Sequence, residues 1–194
     1  MPPQADPADV VEESHLLARV GGGDREAFRL IYARFSAPLF SLALRIVGDR
    51  GEAEEMMQDA FVKIWRNAAS YDARKSRPFT WAVTIMRRTC FDHLRKRRRI
   101  PVTTPLAAEA GAASGLQEGE DLRATVEAAE DSGHLRRALA DLPTGQRGAL
   151  ELALFSDKTH AEIASSLGQP IGTVKSWIRR GLVDLHNTLS SQSP

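Results

Sequence analysis

The sequence predicts an all-α protein: two small helical domains joined by a flexible linker, the C-terminal one containing a helix-turn-helix. Three observations carry this. Apolar residues recur at three- and four-residue steps along most of the chain, no alternating stretch is long enough to build a sheet, and residues 159–189 read as two helices around a tight turn, the second of them basic. The 194 residues and 42% hydrophobic content leave room for two small cores. The expected division is 1–101, a linker over 102–130, and 131–194.

A first helix is expected over Asp9 to Val20, stopped by Gly21-Gly22-Gly23. A second opens at Asp24, turns Phe28, Ile31, Tyr32, Phe35 and Leu39 inward, and closes at Gly48. The third, from about Gly51 to Ser70, carries the clearest stripe: Ala53, Met56, Met57, Ala60, Phe61, Ile64, Trp65 and Ala68. Its other face holds Glu52, Glu54, Glu55, Gln58, Asp59 and Lys63. After a loop at Tyr71 to Arg77, a fourth helix starts near Pro78, a residue suited to a first helical turn, and runs into an arginine cluster until Pro101 breaks it. Residues 102–130 are rich in Ala, Gly, Glu and Ser and read as the flexible linker.

The second domain is expected to begin near Asp131, with a helix through Leu142, a boundary at Pro143, a helix from Thr144 to Phe155, and then the helix-turn-helix. Thr159 and Glu162 have capping-box spacing, and Leu167-Gly168 is a helix stop. At roughly 100° per residue, Val174, Ile178, Leu182, Leu185 and Leu189 share one stripe of the last helix. Thr173, Ser176 and Arg180 face the other way, with Lys175 and Arg179 beside them. Such a helix can bury its stripe and present hydroxyls and guanidinium groups to phosphates and base edges in a major groove. The plainer alternative is an amphipathic helix with a solvated basic face.

Composition narrows the function classes. The net charge is only +1, but the charges are segregated. Arg87, Arg88, Arg95, Lys96, Arg97, Arg98 and Arg99 crowd one segment, whereas residues 107–131 are strongly acidic. Cys90 is the only cysteine, so no internal disulfide forms, and it reads as a packing residue. The five histidines are dispersed and show no metal-ligand spacing, so no metal or other cofactor is expected. No phosphate-cradling glycine loop or nucleophile elbow is present. No uninterrupted apolar run approaches the ~20 residues of a membrane span, and the N-terminus lacks a basic leader or apolar signal core. A cytoplasmic protein without stable membrane insertion is expected.

The segment Tyr71 to Arg99 interleaves aromatics and cations, including Arg74, Lys75, Phe79, Trp81 and Phe91. Single-stranded DNA is held by such chemistry, cations tracking phosphates and aromatic faces or pockets receiving unstacked bases. Alternatively, the aromatics are core and the basic tail is solvated; for Trp81 the core reading is preferred. The acidic and amide face Glu54, Glu55, Gln58 and Asp59 suits either docking of a basic partner or plain solvation.

Together these residues resemble the extracytoplasmic-function branch of bacterial sigma factors. The run Glu52 to Arg66 looks like that family's polymerase-binding helix. Pro78-Phe79-Thr80-Trp81 followed by Ile85, Arg87, Asp92, Leu94 and Arg95 looks like its promoter-melting helix. Leu142-Pro143 and the helix-turn-helix with Gly172-Thr173-Val174-Lys175-Ser176 look like its second DNA-binding domain. The resemblance implies a protein that binds core RNA polymerase, directs it to promoter DNA and opens the duplex, with no catalysis of its own. By the same resemblance, Glu55, Gln58 and Asp59 would contact polymerase. Arg74, Lys75, Arg87, Arg88, Asp92, Arg95 and Lys96 would engage the −10 element. Thr173, Lys175, Ser176, Arg179 and Arg180 would engage the −35 element. An anti-sigma factor is the implied regulatory partner. Arg88 after Arg87, Ser76 in the preceding loop and Trp177 in the last helix depart from the family's common residues, so a promoter sequence does not transfer from relatives. The rival readings are a stand-alone helix-turn-helix regulator, a nucleic-acid-processing enzyme, which needs clustered carboxylates for metal ions, and a protein-only adaptor.

Overall fold

A computed structural model describes residues 7–99 and 133–190, and these residues form helices and short connections only. In the N-terminal domain α1 spans Pro7–Gly21, α2 Arg25–Val47, α3 Arg50–Asn67 with a 3-10 turn at Ala68–Ser70, and α4 Pro78–Arg99. In the C-terminal domain α5 covers 133–140, α6 Thr144–Phe155, α7 His160–Leu167 and α8 Ile171–Ser190. The linker expectation for 102–130 falls outside the described residues.

Helix ends follow from the residues that cap them. The Asp24 carboxylate accepts from the backbone N–H groups of Glu26 and Ala27 at 2.9 and 3.0 Å, and Asp49 accepts from that of Glu52 at 2.8 Å. Gly48 closes α2 in the left-handed region at φ 80°, where a residue with a Cβ would be strained. The expected capping box forms in full: Thr159 Oγ1 accepts from the Glu162 N–H, and the Glu162 carboxylate accepts from the Thr159 N–H at 2.7 Å.

The N-terminal core lies between α2, α3 and α4. Ile31, Phe35 and Leu39 of α2 are fully enclosed by Ala53, Met56, Ala60 and Ile64 of α3 and by Phe79, Ala82, Val83, Met86 and Cys90 of α4. One expectation needs correction. Tyr32, expected inward, is 47% exposed; it leans on Phe61 with ring centroids 4.6 Å apart, at the margin of the stripe. By length and composition α2 is long and apolar enough to cross a bilayer, with Arg34 and Arg45 interrupting its apolar stretch. Burial of one face on α3 and α4 accounts for its apolar character.

In the C-terminal domain the whole predicted stripe of α8, Val174, Ile178, Leu182, Leu185 and Leu189, is buried, against a core that includes Leu150 and Leu154 of α6 and Ile163 of α7. The two domains also touch. The imidazole of His186 on α8 reaches Glu13 of α1 at 2.9 Å and stacks on Phe79 of α4, centroids 4.1 Å apart at 18°. Arg45 of α2 lies over the Phe155 ring at 4.4 Å.

Gly21 does more than stop α1. A Cβ there would meet the Ala69 backbone at 2.8 Å, so α1 could not keep its seat on the 3-10 turn. Gly21→Ala is expected to cost ~1–3 kcal/mol of unfolding free energy through this overpacking, read as a lowered urea midpoint with an unchanged m-value. An unchanged midpoint would mean that the contact is not tight in solution.

Candidate nucleic-acid and polymerase interface

The candidate residues fall on three surfaces, each fixed by a buried seam on the opposite side of its helix. On α3, burial of Ala53, Met56, Met57, Ala60 and Ile64 turns Glu55, Gln58 and Asp59 outward, and all three are exposed. Glu54, their neighbour, is held by Arg50 at 3.0 Å. Beside Gln58 runs a groove of about 440 Å³ lined by Tyr32, Ser36, Phe40 and Met57. Sequence reasoning missed this groove by turning Tyr32 inward. Its signal is Ser36, one helical turn after Tyr32, a polar residue at a position the inward assignment would bury.

The second surface is the 71–77 loop and α4. The Tyr71 hydroxyl donates to the Ser76 carbonyl at 2.8 Å, bracing the loop, while its ring leans on Trp81 at 5.4 Å. Arg74 grips Asp72 with two bonds of 3.0 Å, which, with the Arg74 N–H, holds the Asp72 carboxyl at about 2 and raises the guanidinium's own pKa. Lys75 is 82% exposed with its ammonium 3.9 Å from the same carboxylate. Along α4, Arg88, Asp92, Arg95 and Lys96 are exposed, and Arg95 pairs with Asp92 at 2.7 Å. Arg95, Lys96 and Asp92 share a groove of about 520 Å³ with Glu55 and Asp59, so polymerase and DNA candidates adjoin across α3 and α4.

Arg87 differs from its neighbours. It is half-buried, with its guanidinium 5.1 Å from the Phe91 ring; Nη2 donates to the Ser156 carbonyl at 2.6 Å and to that of Lys158 at 3.3 Å, and Nε is buried with no acceptor. Burial lowers its pKa. The aromatics of this segment are structural to different degrees. Phe79 is core, while Trp81 and Phe91 are half-buried.

On α8, Lys175, Arg179 and Arg180 are exposed and Thr173 and Ser176 half-buried. Ser176 Oγ donates to the Thr173 carbonyl at 2.8 Å and accepts from Arg180 at 3.3 Å, which aims this short polar ladder along the helix. Trp177 is a packing residue: its ring lies against α6, where a Cβ on Gly145 would meet it at 2.9 Å. Lys75, Arg77, Arg87 and Arg88 of the N-terminal domain and His160, Lys175 and Arg179 of the C-terminal domain line one cleft of about 330 Å³, with no carboxylate among its lining residues. The positive field is felt by His160, whose pKa is lowered by burial and then by Lys175 and Arg87. The structure thus brings Lys75, Arg87 and Arg88 face to face with Lys175 and Arg179, while Asp92, Arg95 and Lys96 lie beside Glu55 and Asp59 in the other groove. No cluster of His, Cys, Asp and Glu suited to a metal ion occurs among the described residues.

Residues 31–100 match the Sigma-70 region 2 family and residues 133–185 the Sigma-70, region 4 family. The chain is 30% identical over 184 residues to the ECF RNA polymerase sigma factor SigK of Mycobacterium ulcerans, covering 91% of this chain and 92% of the relative. It is 32% identical over 167 residues to the ECF RNA polymerase sigma factor RpoE of Cereibacter sphaeroides, covering 86% and 88% respectively. Among solved structures it is similar to Rhodobacter sphaeroides SigE in complex with the anti-sigma ChrR, at 28% identity and TM-score 0.48, over 92% of this chain and 99% of that one. The two family matches and the two sequence relatives define a bacterial transcription initiation factor. The chain belongs to the extracytoplasmic-function (ECF) RNA polymerase sigma factors.

Two outcomes check the electrostatics described above. Burial pushes the Cys90 thiol up to about 12, so thiol reagents at pH 8 should modify it only at the rate of global unfolding; fast labelling would place it at the surface. Asp72 is depressed, so its pairing with Arg74 is complete above the ordinary carboxylate value of 3.8 and lost as pH falls through about 2. Its side-chain carboxyl NMR shift should titrate there, and an ordinary value would show Arg74 free.

Proposed function

We propose that this sigma factor divides its work among three surfaces. Glu55, Gln58 and Asp59 bind core RNA polymerase; Arg74, Lys75, Arg87, Arg88, Asp92, Arg95 and Lys96 engage and open the −10 element; Thr173, Lys175, Ser176, Arg179 and Arg180 hold the −35 element. The observation that supports this best is the exposure of α3 carboxylates and α4 and α8 cations within two domains that match sigma regions 2 and 4 in order. The working units are residues 1–101 and 131–194, with 102–130 as the connection. The protein catalyses nothing itself; polymerase supplies the chemistry in the cytoplasm where it works. Flipping a promoter base costs a few kcal/mol, which phosphate contacts from α4 offset when polymerase holds the domain on the DNA. An anti-sigma factor would act by covering the same faces.

Run-off transcription from a genomic promoter library with purified protein and sigma-free core polymerase tests the reading. Discrete start sites sharing two upstream elements are expected. Specific duplex binding with no effect on core polymerase would instead favour a stand-alone helix-turn-helix regulator. Two sets of variants separate the surfaces. Replacing Gln58 and Asp59 together by alanine should weaken core binding about tenfold, the loss of a modest interface hot spot of ~1.4 kcal/mol, with free DNA binding unchanged. Replacing Lys175 and Arg179 by alanine should lower the slope of log K against log salt by about 2 for the holoenzyme on promoter DNA. An unchanged slope would remove α8 from phosphate contact.

A further inference from the structure

The cleft between the domains gathers more positive charge than the protein neutralises. Six permanent cations line it: Lys75, Arg77, Arg87 and Arg88 from the N-terminal domain, and Lys175 and Arg179 from α8. His160, the first residue of α7, joins them, and no carboxylate lies among the lining residues. Three of the six are met by groups outside the cleft. The Lys75 ammonium lies 3.9 Å from the Asp72 carboxylate, Arg77 acts on the carboxylate of Asp184, and Arg87 donates to the Ser156 carbonyl and is acted on by Asp157. Arg88, Lys175 and Arg179 have no ion pair among the described residues. Like charges brought together from two domains repel, and an anion between them removes that repulsion. Val83 of α4, Leu154 of α6 and Ile178 and Leu182 of α8 supply an aliphatic part of the wall. The volume of about 330 Å³ stands at the lower end of small-molecule sites, which span roughly 300–1,000 Å³.

We propose that this cleft is a binding site for a small anion of linked phosphates, a di- or triphosphate chain held by Arg88, Lys175 and Arg179 from both domains at once. Linked phosphates fit this lining better than a lone carboxylate does. Three unpaired cations on separate elements call for several anionic oxygens along a short chain; the two guanidinium groups take phosphate oxygens in pairs, and Lys175 adds a point charge. An apolar group carried by the chain, such as the base of a nucleoside triphosphate, has the aliphatic wall of Val83, Leu154, Ile178 and Leu182 to lie on. Competition between this ligand and promoter DNA follows only from the DNA roles proposed above for the same cations; the site itself does not depend on them.

The test is calorimetric titration of the full chain at physiological salt, without magnesium, using inorganic triphosphate, adenosine triphosphate and adenosine as probes. One equivalent of a triphosphate should bind per chain. An affinity for adenosine triphosphate about tenfold above that for inorganic triphosphate, the order of one further good contact, identifies a nucleotide site; equal or weaker affinity identifies a site for the inorganic chain. Arg88→Ala combined with Lys175→Ala should weaken triphosphate binding at least about tenfold, because hydrogen bonds to charged groups each contribute on that order. Arg66→Ala combined with Arg136→Ala removes two exposed cations elsewhere and should leave binding unchanged. The second readout is His160, whose pKa is lowered by burial and then by Lys175 and Arg87. A phosphate chain in the cleft should raise it, followed by NMR through the imidazole C–H signals that His160→Gln removes. Circular dichroism confirms that each variant is folded. No binding of either triphosphate, adenosine bound as tightly as adenosine triphosphate, equal effects of the two double replacements, or a His160 pKa that does not move would each overturn the proposal. The titration contains neither DNA nor polymerase, so its failure is distinct from a failure of the sigma reading, which run-off transcription reports.

Discussion

Burial of one seam of α4 is the constraint on which the rest depends. Phe79, Ala82, Val83, Met86 and Cys90 are all enclosed against α2 and α3, and the helical period then leaves Arg88, Asp92, Arg95 and Lys96 on the outward side. No loop flexibility enters their placement. Arg87, at the edge of the seam, is half in and half out, and it makes a part-buried contact with the Ser156 carbonyl of the other domain. Each CH₂ or ring carbon lost from this seam would loosen the same residues that are offered to DNA. The side that makes the core and the side proposed to meet the promoter are therefore one helix seen from opposite directions.

Charge placement follows the same logic at the scale of the whole chain. A net charge of +1 conceals two cationic helices and an acidic α3 face. Partner surfaces separate accordingly: carboxylates and Gln58 toward a protein with basic or polar groups, guanidinium and ammonium groups toward a polyanion. The two cationic surfaces cannot face one another without acceptors between them, and the carbonyls and carboxylate of residues 156–158 supply these at one edge of the cleft.

Much of this was legible in the sequence because it is local. The α3 and α8 stripes, the Asp24 and Thr159 caps and the stops at Gly48 and Gly168 are set by residues within a few positions of one another, and each stands where the pattern placed it. What was not legible is long-range. Periodicity assigned Tyr32 to the core, but nothing covers the outer side of that position. Trp177 looked like a surface departure from the family, yet the missing side chain at Gly145, 32 positions earlier in the chain, makes a seat for its ring. The pairing of Glu13 with His186, 173 positions apart, has no sequence signal at all. Family resemblance suggests the surfaces and carries no information on how they meet in the free protein.

The central claim is that α8 holds duplex DNA upstream while α4 engages the strand that opens near the start site. Its most direct test is photocrosslinking in the complex with core polymerase and promoter DNA, with a photoreactive residue replacing Arg180 in one protein and Arg88 in another. Position 180 should crosslink to duplex upstream and position 88 to a separated strand closer to the start, both only when polymerase is present. Crosslinks from both positions to one segment of DNA, or crosslinks independent of polymerase, would contradict it.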